Sequence, residues 1–181
     1  LGVTGGIAAY KAVEVARLLI KQGLRVIPVV TESGAKFVGP ALLAGICGEE
    51  CYGTMWTGRG ELHVELAAAA DVIALVPATA DLLAALAHGR ADNLVRAIAL
   101  CARGPVLAAP AMHPRMWHHP ATARNVAQLA ADARVRLVGP ESGPVASGDE
   151  GMGRLAGPDV IAAAIVAAAS GGDQQGRHLV V

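Results

Sequence analysis

The stretch Asp71-Val-Ile-Ala-Leu-Val-Pro-Ala-Thr-Ala-Asp81 decides the fold. Its apolar part, residues 72–76, is aliphatic throughout, with no polar side chain on either face. A strand wetted on one side alternates apolar and polar residues. A strand buried on both sides does not, and such strands belong to parallel sheets covered by helices. The run stops at Pro77, and residues 81–87 continue with helical spacing.

Outward from this run the same alternation recurs. Residues 1–3 and 25–30 read as strands, separated by a helix over 8–22 in which Ala12, Val15, Ala16 and Leu19 follow the i, i+3, i+4, i+7 pattern. Helices are expected near Pro40 and over 62–70, 81–87, 93–102, 120–132 and 158–169. Residues 106–109 and 136–138 supply further strands, and 144–155 reads as a glycine-bearing loop. Strands alternating with helices give an α/β fold: a three-layer, Rossmann-like (flavodoxin-type) parallel sheet flanked by helices. Residues 1–170 make one domain. Residues 171–181 read as a polar linker followed by the first strand of a second, truncated domain.

Composition excludes several classes of function. Lysine and arginine total 15, aspartate and glutamate also 15, so no basic surface for nucleic acid and no polybasic membrane anchor is expected. Hydrophobic residues make up 54%, which excludes disorder, while aromatics at 3% disfavour a base-stacking platform. The longest stretch without Asp, Glu, Lys or Arg, residues 160–172, is too short to span a bilayer. Three cysteines without a CxxC spacing point to a reducing, cytoplasmic setting and to no thiolate metal site. No HExxH or other paired-ligand spacing appears, so no metal is expected.

Chemistry is expected at the carboxyl ends of the strands, where open α/β sheets bind ligands. The first turn, Gly2-Val-Thr-Gly5-Gly6-Ile7, has the spacing GxxGG rather than the dinucleotide fingerprint GxGxxG. It fits either a mononucleotide phosphate at a helix N-terminus or a plain tight turn with an ordinary cap. Thr31 and Ser33, after the second strand, offer hydroxyls that suit the far side of a phosphate pocket; Glu32 between them could instead hold a ribose. Pro77-Ala78-Thr79 and Pro110-Ala-Met112-His113 form small turns against which a flat ring could lie. His63 stands at the start of a short helix, flanked only by Glu61 and Glu65.

Six segments in order resemble the homo-oligomeric flavin-containing cysteine decarboxylases: VTGGIAAYKA at 3–12, VVTESGAKF at 29–37, LHVEL at 62–66, PATADLLAALAHGRADNLV at 77–95, PAMHPRMW at 110–117 and SGDEGMGRL at 147–155. The similarity is greatest to the branch acting in coenzyme A synthesis, and GRHLVV at 176–181 is similar to the opening strand of its synthetase half. The resemblance implies FMN, its phosphate on Gly5, Gly6, Ile7, Thr31 and Ser33. The ring would lie near Phe37, Pro77, Ala78, Thr79 and Met112. It implies homotrimers or larger assemblies of trimers, a dodecamer among them, with the flavin at a subunit interface.

The implied reaction is decarboxylation of 4′-phosphopantothenoylcysteine to 4′-phosphopantetheine. Direct loss of CO2 would leave an unstabilised carbanion, whereas prior oxidation of the C–S unit by hydride transfer to FMN creates a thioaldehyde as electron sink. Loss of CO2 then gives an enethiolate, which reduced FMN returns to the thiol level. His63 matches the family's active-site histidine and would assist thiol deprotonation.

Two positions depart from the family pattern. His113 stands where an asparagine holds the substrate carboxylate, and Ser147 stands where a flap cysteine supplies the last proton. Serine is the poorer acid, so Ser147 favours an alternative, the oxidative decarboxylases of C-terminal cysteine peptides. A second alternative is a non-catalytic flavin-binding regulatory subunit, against which the retained His63 argues.

Overall fold

In the computed structural model, which describes residues 1–56, 58 and 60–170, five parallel strands form the central layer. They are β1 (Gly2–Val3), β2 (Val29–Val30), β3 (Ile73–Ala78), β4 (Val106–Pro110) and β5 (Val135–Leu137). Their spatial order is β2-β1-β3-β4-β5. Parallel neighbours need crossovers, and helices supply them. Helix α1 (Lys11–Lys21) follows a short 3₁₀ turn at Ile7–Tyr10, and α2 (Glu32–Ala35), α3 (Pro40–Cys47) and α4 (Leu62–Ala69) lead from β2 to β3. Helices α5 (Ala80–Ala87) and α6 (Leu94–Leu100) join β3 to β4, with α7 (Pro114–Trp117) and α8 (Pro120–Asp132) before β5 and α9 (Pro158–Ser170) at the end.

Successive strand residues point to opposite faces, so the two-sided apolar run divides between two cores. Ala74 and Val76 of β3, with Leu107 and Ala109 of β4, pack with Ala12, Val15 and Leu19 of α1 and Ile161 and Ile165 of α9. Ile73 and Leu75, with Val106 and Ala108, pack with Leu66 of α4, Leu82 and Leu83 of α5, Leu94 and Ile98 of α6 and Leu129 of α8. Full burial of a large aliphatic contributes about 1.5–3 kcal/mol, so the sheet is held from both sides.

Helix starts fix the turns that matter for the site. Thr31, Thr79 and Asn93 each cap the helix that follows, their side-chain oxygens accepting the N–H of Gly34 at 3.0 Å, Leu82 at 3.2 Å and Arg96 at 3.1 Å.

The structure corrects three expectations. Residues 144–155, read as a loop, contain most of an antiparallel hairpin, β6 (Glu141–Pro144) against β7 (Glu150–Arg154). Its glycines, which argue against a strand in isolation, are admitted because Gly153 packs on the Met112 backbone and Gly151 on Pro114, both in the turn after β4. Of residues 25–30, only Val29 and Val30 are strand, although the Leu1 amino group also donates to the Ile27 carbonyl at 2.7 Å. Residues 8–10, expected in the first α-helix, lie in the 3₁₀ turn, and the one-turn helices α2 and α7 had no periodicity long enough to read. The linker and strand expected at 171–181 lie outside the described residues.

Candidate functional site

The strand order reverses around β1: β2 lies on one side and β3 on the other, and open sheets bind ligands where such a reversal leaves a crevice. The turns leaving β1 and β3 meet there. A Cβ built on Gly6 would be 3.8 Å from Pro77 Cγ and 3.8 Å from Thr79 Cγ2, ordinary contact distance. Beneath them, the buried Thr4 hydroxyl donates to the Pro77 carbonyl at 2.6 Å and ties the two turns together.

The β2 turn closes the other side. Thr31 N–H donates to the Val3 carbonyl at 3.0 Å, and the Thr31 and Ser33 hydroxyls lie 3.1 Å apart. Gly5 lies against Ser33, with no room for a Cβ between them. The N–H groups of Gly5 and Gly6 have no acceptor among the described residues. Free amides at the start of a helical turn, with two hydroxyls opposite and no carboxylate bonded to any of them, form a donor set suited to a phosphate.

The remaining expected ring neighbours sit differently. Pro77 and Ala78 are buried, so Ala78 reaches the crevice only through its backbone, and its carbonyl accepts from Ala111 N–H at 3.1 Å. Met112 is half-buried, while Ile7 and Phe37 are 65% and 51% exposed. Exposed apolar side chains beside a polar donor set are what a site completed by a planar ring, or by a second subunit, requires. Thr31 and Ser33 also line a cavity of about 420 Å³, together with Lys36, Met55, Asp92 and Asn93. Residues Asp92 and Asn93 were not singled out from the sequence, although their place in a segment shared with the family was visible.

His63 lies in the first turn of α4, half-buried and with no hydrogen-bond partner among the described residues. It is not joined by any hydrogen bond to the second histidine of interest. His113 caps α7, its Nδ1 accepting the Arg115 N–H at 3.1 Å. An Nδ1 that accepts must be unprotonated, so the neutral ring carries its proton on Nε2. Nε2–H then donates to Asp149 Oδ2 at 2.6 Å, and the Ser147 hydroxyl donates to the same oxygen at 3.3 Å. These bonds, that of His113 first, hold the Asp149 carboxyl below the usual carboxylate range. The two positions that depart from the family pattern are thus joined through one carboxylate, which the sequence alone gave no reason to select.

A second ionic cluster supports the α5–α6 corner. Buried Arg96 donates to Asp92 at 2.7 Å and to Asp81, and its Nε has no partner among the described residues. Among the described residues no group of His, Cys, Asp and Glu is arranged to hold a metal ion.

A doubly wound α/β domain with an anion cradle at its switch point defines a nucleotide- or flavin-binding protein. The comparisons narrow the class: the flavoprotein family matches residues 1–170, and the chain belongs to that family. It is 48% identical over 156 residues to the coenzyme A biosynthesis bifunctional protein CoaBC of Mycolicibacterium smegmatis. That match covers 86% of this chain and 37% of the relative, so the chain spans well under half the relative's length. Among solved structures, a PPC decarboxylase mutant complexed with pantothenoylaminoethenethiol superposes with a TM-score of 0.81 at 30% identity, covering 92% of this chain and 94% of the other. The FMN-dependent cysteine decarboxylase SpaF superposes at 0.77 with 34% identity, covering 93% and 94%.

Proposed function

We propose that the chain is an FMN-dependent decarboxylase of 4′-phosphopantothenoylcysteine acting in coenzyme A synthesis. The observation that carries this reading is the crevice itself: free Gly5 and Gly6 amides and the Thr31 and Ser33 hydroxyls on one side, the Pro77–Thr79 and Met112–His113 turns on the other. The likeness to a CoaBC protein and to a PPC decarboxylase complex supports the substrate.

Gly5, Gly6 and Ile7 amides, with Thr31 and Ser33, hold the FMN phosphate, and Phe37, Pro77, Ala78, Thr79 and Met112 border its ring. Bound there, FMN supplies a hydride acceptor and donor for the carbon–sulfur unit of the substrate. The protein's share is to place the substrate, to exclude water and to move protons. His63 takes the thiol proton, the general-base role that an imidazole most often fills. Pro77 and the buried Thr4 beneath it keep the turn under the ring fixed. His113, on the turn after β4, and Ser147, in the hairpin tip, belong to the substrate side of the crevice.

The assembly we propose is a homotrimer, or trimers grouped further, in which a neighbouring subunit covers exposed Ile7, Tyr10 and Phe37 beside the cradle. We place it in the cytoplasm, as one part of a multifunctional enzyme. Supporting this, the three cysteines are unpaired, and the CoaBC relative is a bifunctional protein.

Ser147 favours a second reading, oxidative decarboxylation of a peptide C-terminal cysteine. Purified FMN-loaded protein incubated with 4′-phosphopantothenoylcysteine, and separately with a cysteine-terminated peptide, separates the two by product mass. Loss of CO2 alone from the first substrate is expected. Loss of CO2 with two hydrogens, or turnover of the peptide alone, supports the second reading. Bound flavin without turnover of either sinks both.

A further inference from the structure

His113 has two ring nitrogens, and the fold uses both. Nδ1 accepts the Arg115 N–H within its own turn, and Nε2–H, the only proton a neutral ring can give, goes to Asp149 Oδ2 at 2.6 Å. Asp149 lies at the tip of the β6–β7 hairpin, and Ser147 donates to the same oxygen. The hairpin itself is docked on the turn that carries His113: Met112 N–H donates to the Gly153 carbonyl at 2.9 Å, and a Cβ on Gly151 would be 3.1 Å from Pro114 Cβ and Cγ.

We infer that Asp149 and His113 are a positioning pair that fastens the hairpin tip, and Ser147 with it, over the crevice. Asp149 acts through His113, and His113, having spent its one N–H on Asp149, is not the ligand of the substrate carboxylate. This deepens the proposed function and rests on it for the substrate. The side chain at position 113 therefore works on the chain rather than on the substrate. The carboxylate is left to donors of the crevice not already engaged.

Several features single out the pair among the ionic contacts of the molecule. The Arg25–Glu49 and Arg90–Asp92 pairs lie away from both turns. The His113–Asp149 contact instead spans 36 residues of chain and connects a turn of the crevice to the segment above it. The imidazole side chain is 28% exposed and that of Asp149 50%, so the bond meets water, and what sets it apart is the two segments it joins.

The test uses the FMN-loaded chain and the variants Asp149→Ala, His113→Ala and the double variant. Each single change is expected to lower kcat/KM about tenfold or more, the worth of one charge-assisted hydrogen bond, with FMN content unchanged. The double variant is expected to be no worse than either single one, because two residues acting as a unit are lost once. Multiplying effects, or a His113→Ala loss that Asp149→Ala does not reproduce, would show His113 working directly on the substrate and overturn the pair. A second readout needs no turnover. At mildly alkaline pH the ¹⁵N spectrum of His113 should show a single tautomer protonated at Nε2, and Asp149→Ala should relax it toward a mixture while amide exchange at residues 145–149 quickens. An unchanged ring spectrum and unchanged exchange in Asp149→Ala overturn the inference even if the substrate proves to be another; an inactive wild-type protein with the expected ring signals removes the decarboxylase reading and leaves the pair standing.

Discussion

A Cβ built on Gly5 would stand 2.6 Å from Ser33 Cβ and 2.7 Å from its Oγ. The β1 turn and the hydroxyl turn after β2 are therefore seated on each other, and their separation fixes the width of the anion cradle. Gly5→Ala forces them apart. The expected result is a stability loss of about 1–3 kcal/mol, typical of overpacking, with most of the bound flavin lost on dialysis. A urea midpoint and the visible absorbance of the dialysed protein measure the two effects. Ser33→Ala, which removes only the hydroxyl, should keep the fold and weaken flavin retention alone. Full flavin retention in Gly5→Ala would contradict the cradle.

Thr4 tests the floor of the same crevice. Its hydroxyl donates to the Pro77 carbonyl in a buried setting at 2.6 Å. Thr4→Val keeps the shape and leaves that carbonyl short of a donor, so stability should fall by about 1–3 kcal/mol. The check is a shift in the denaturation midpoint at constant m-value, which separates lost stability from an altered unfolded state. No shift would mean the turn is held by packing alone.

His63 is expected to be needed for chemistry and not for the cofactor. It sits on α4 without a hydrogen-bond partner among the described residues, so His63→Asn breaks no bond that the fold relies on. Flavin content and thermal midpoint should match the parent, and decarboxylation should fall by about 10²-fold or more, the usual scale for a lost general base. Unimpaired turnover refutes the assignment.

The layers and the crevice were legible in the chain because their signals are local. Residues 72–76 could only be a doubly buried strand, and the glycine turn and the two hydroxyls fall where a parallel sheet presents its ligand end. The hairpin was not legible, because Gly143, Gly151 and Gly153 acquire meaning only when Arg154, Pro114 and the Met112 backbone lie against them. Asp149 was passed over for a related reason: its partner is 36 residues away, and no periodicity links the two. Exposed Phe37 marks the opposite limit, a motif residue whose place in the family pattern is plain while its contacts within one chain are few.

Acid should loosen the site in a defined direction. The carboxyls of Asp149 and Asp92 are both held below the ordinary carboxylate value, the first chiefly by the His113 hydrogen bond and the second chiefly by that of Arg96. A depressed folded-state pKa means that the unfolded chain binds more protons in the window between the two values. Stability from these groups is then present above about pH 4 and drains away as pH falls through the folded values. Asp149→Asn and Asp92→Asn should each flatten the acid limb of a stability–pH curve measured from pH 6 to pH 2.5, while changing its neutral plateau less. Parallel acid limbs in variant and parent would show that the two carboxylates are not held this way in solution.

Gly153 decides whether the hairpin cover depends on its backbone fit. Its φ of +144° is one that L side chains rarely adopt, and a Cβ there would overlap the Met112 carbonyl oxygen. Gly153→Ala must therefore lift β7 from the turn, breaking the Met112 N–H to Gly153 carbonyl bond of 2.9 Å and carrying Asp149 away from His113. The core is rejoined at Leu155 and Ala156, beyond β7, so global unfolding should move less than local opening, while proteolytic cutting between residues 145 and 149 and exchange of the Met112 amide should both accelerate. Flavin should remain bound and turnover should fall, because the cradle at Gly5 and Thr31 does not touch the hairpin. If Gly153→Ala were cut no faster than the parent, the hairpin would be held by its own ladder rather than by the turn beneath it.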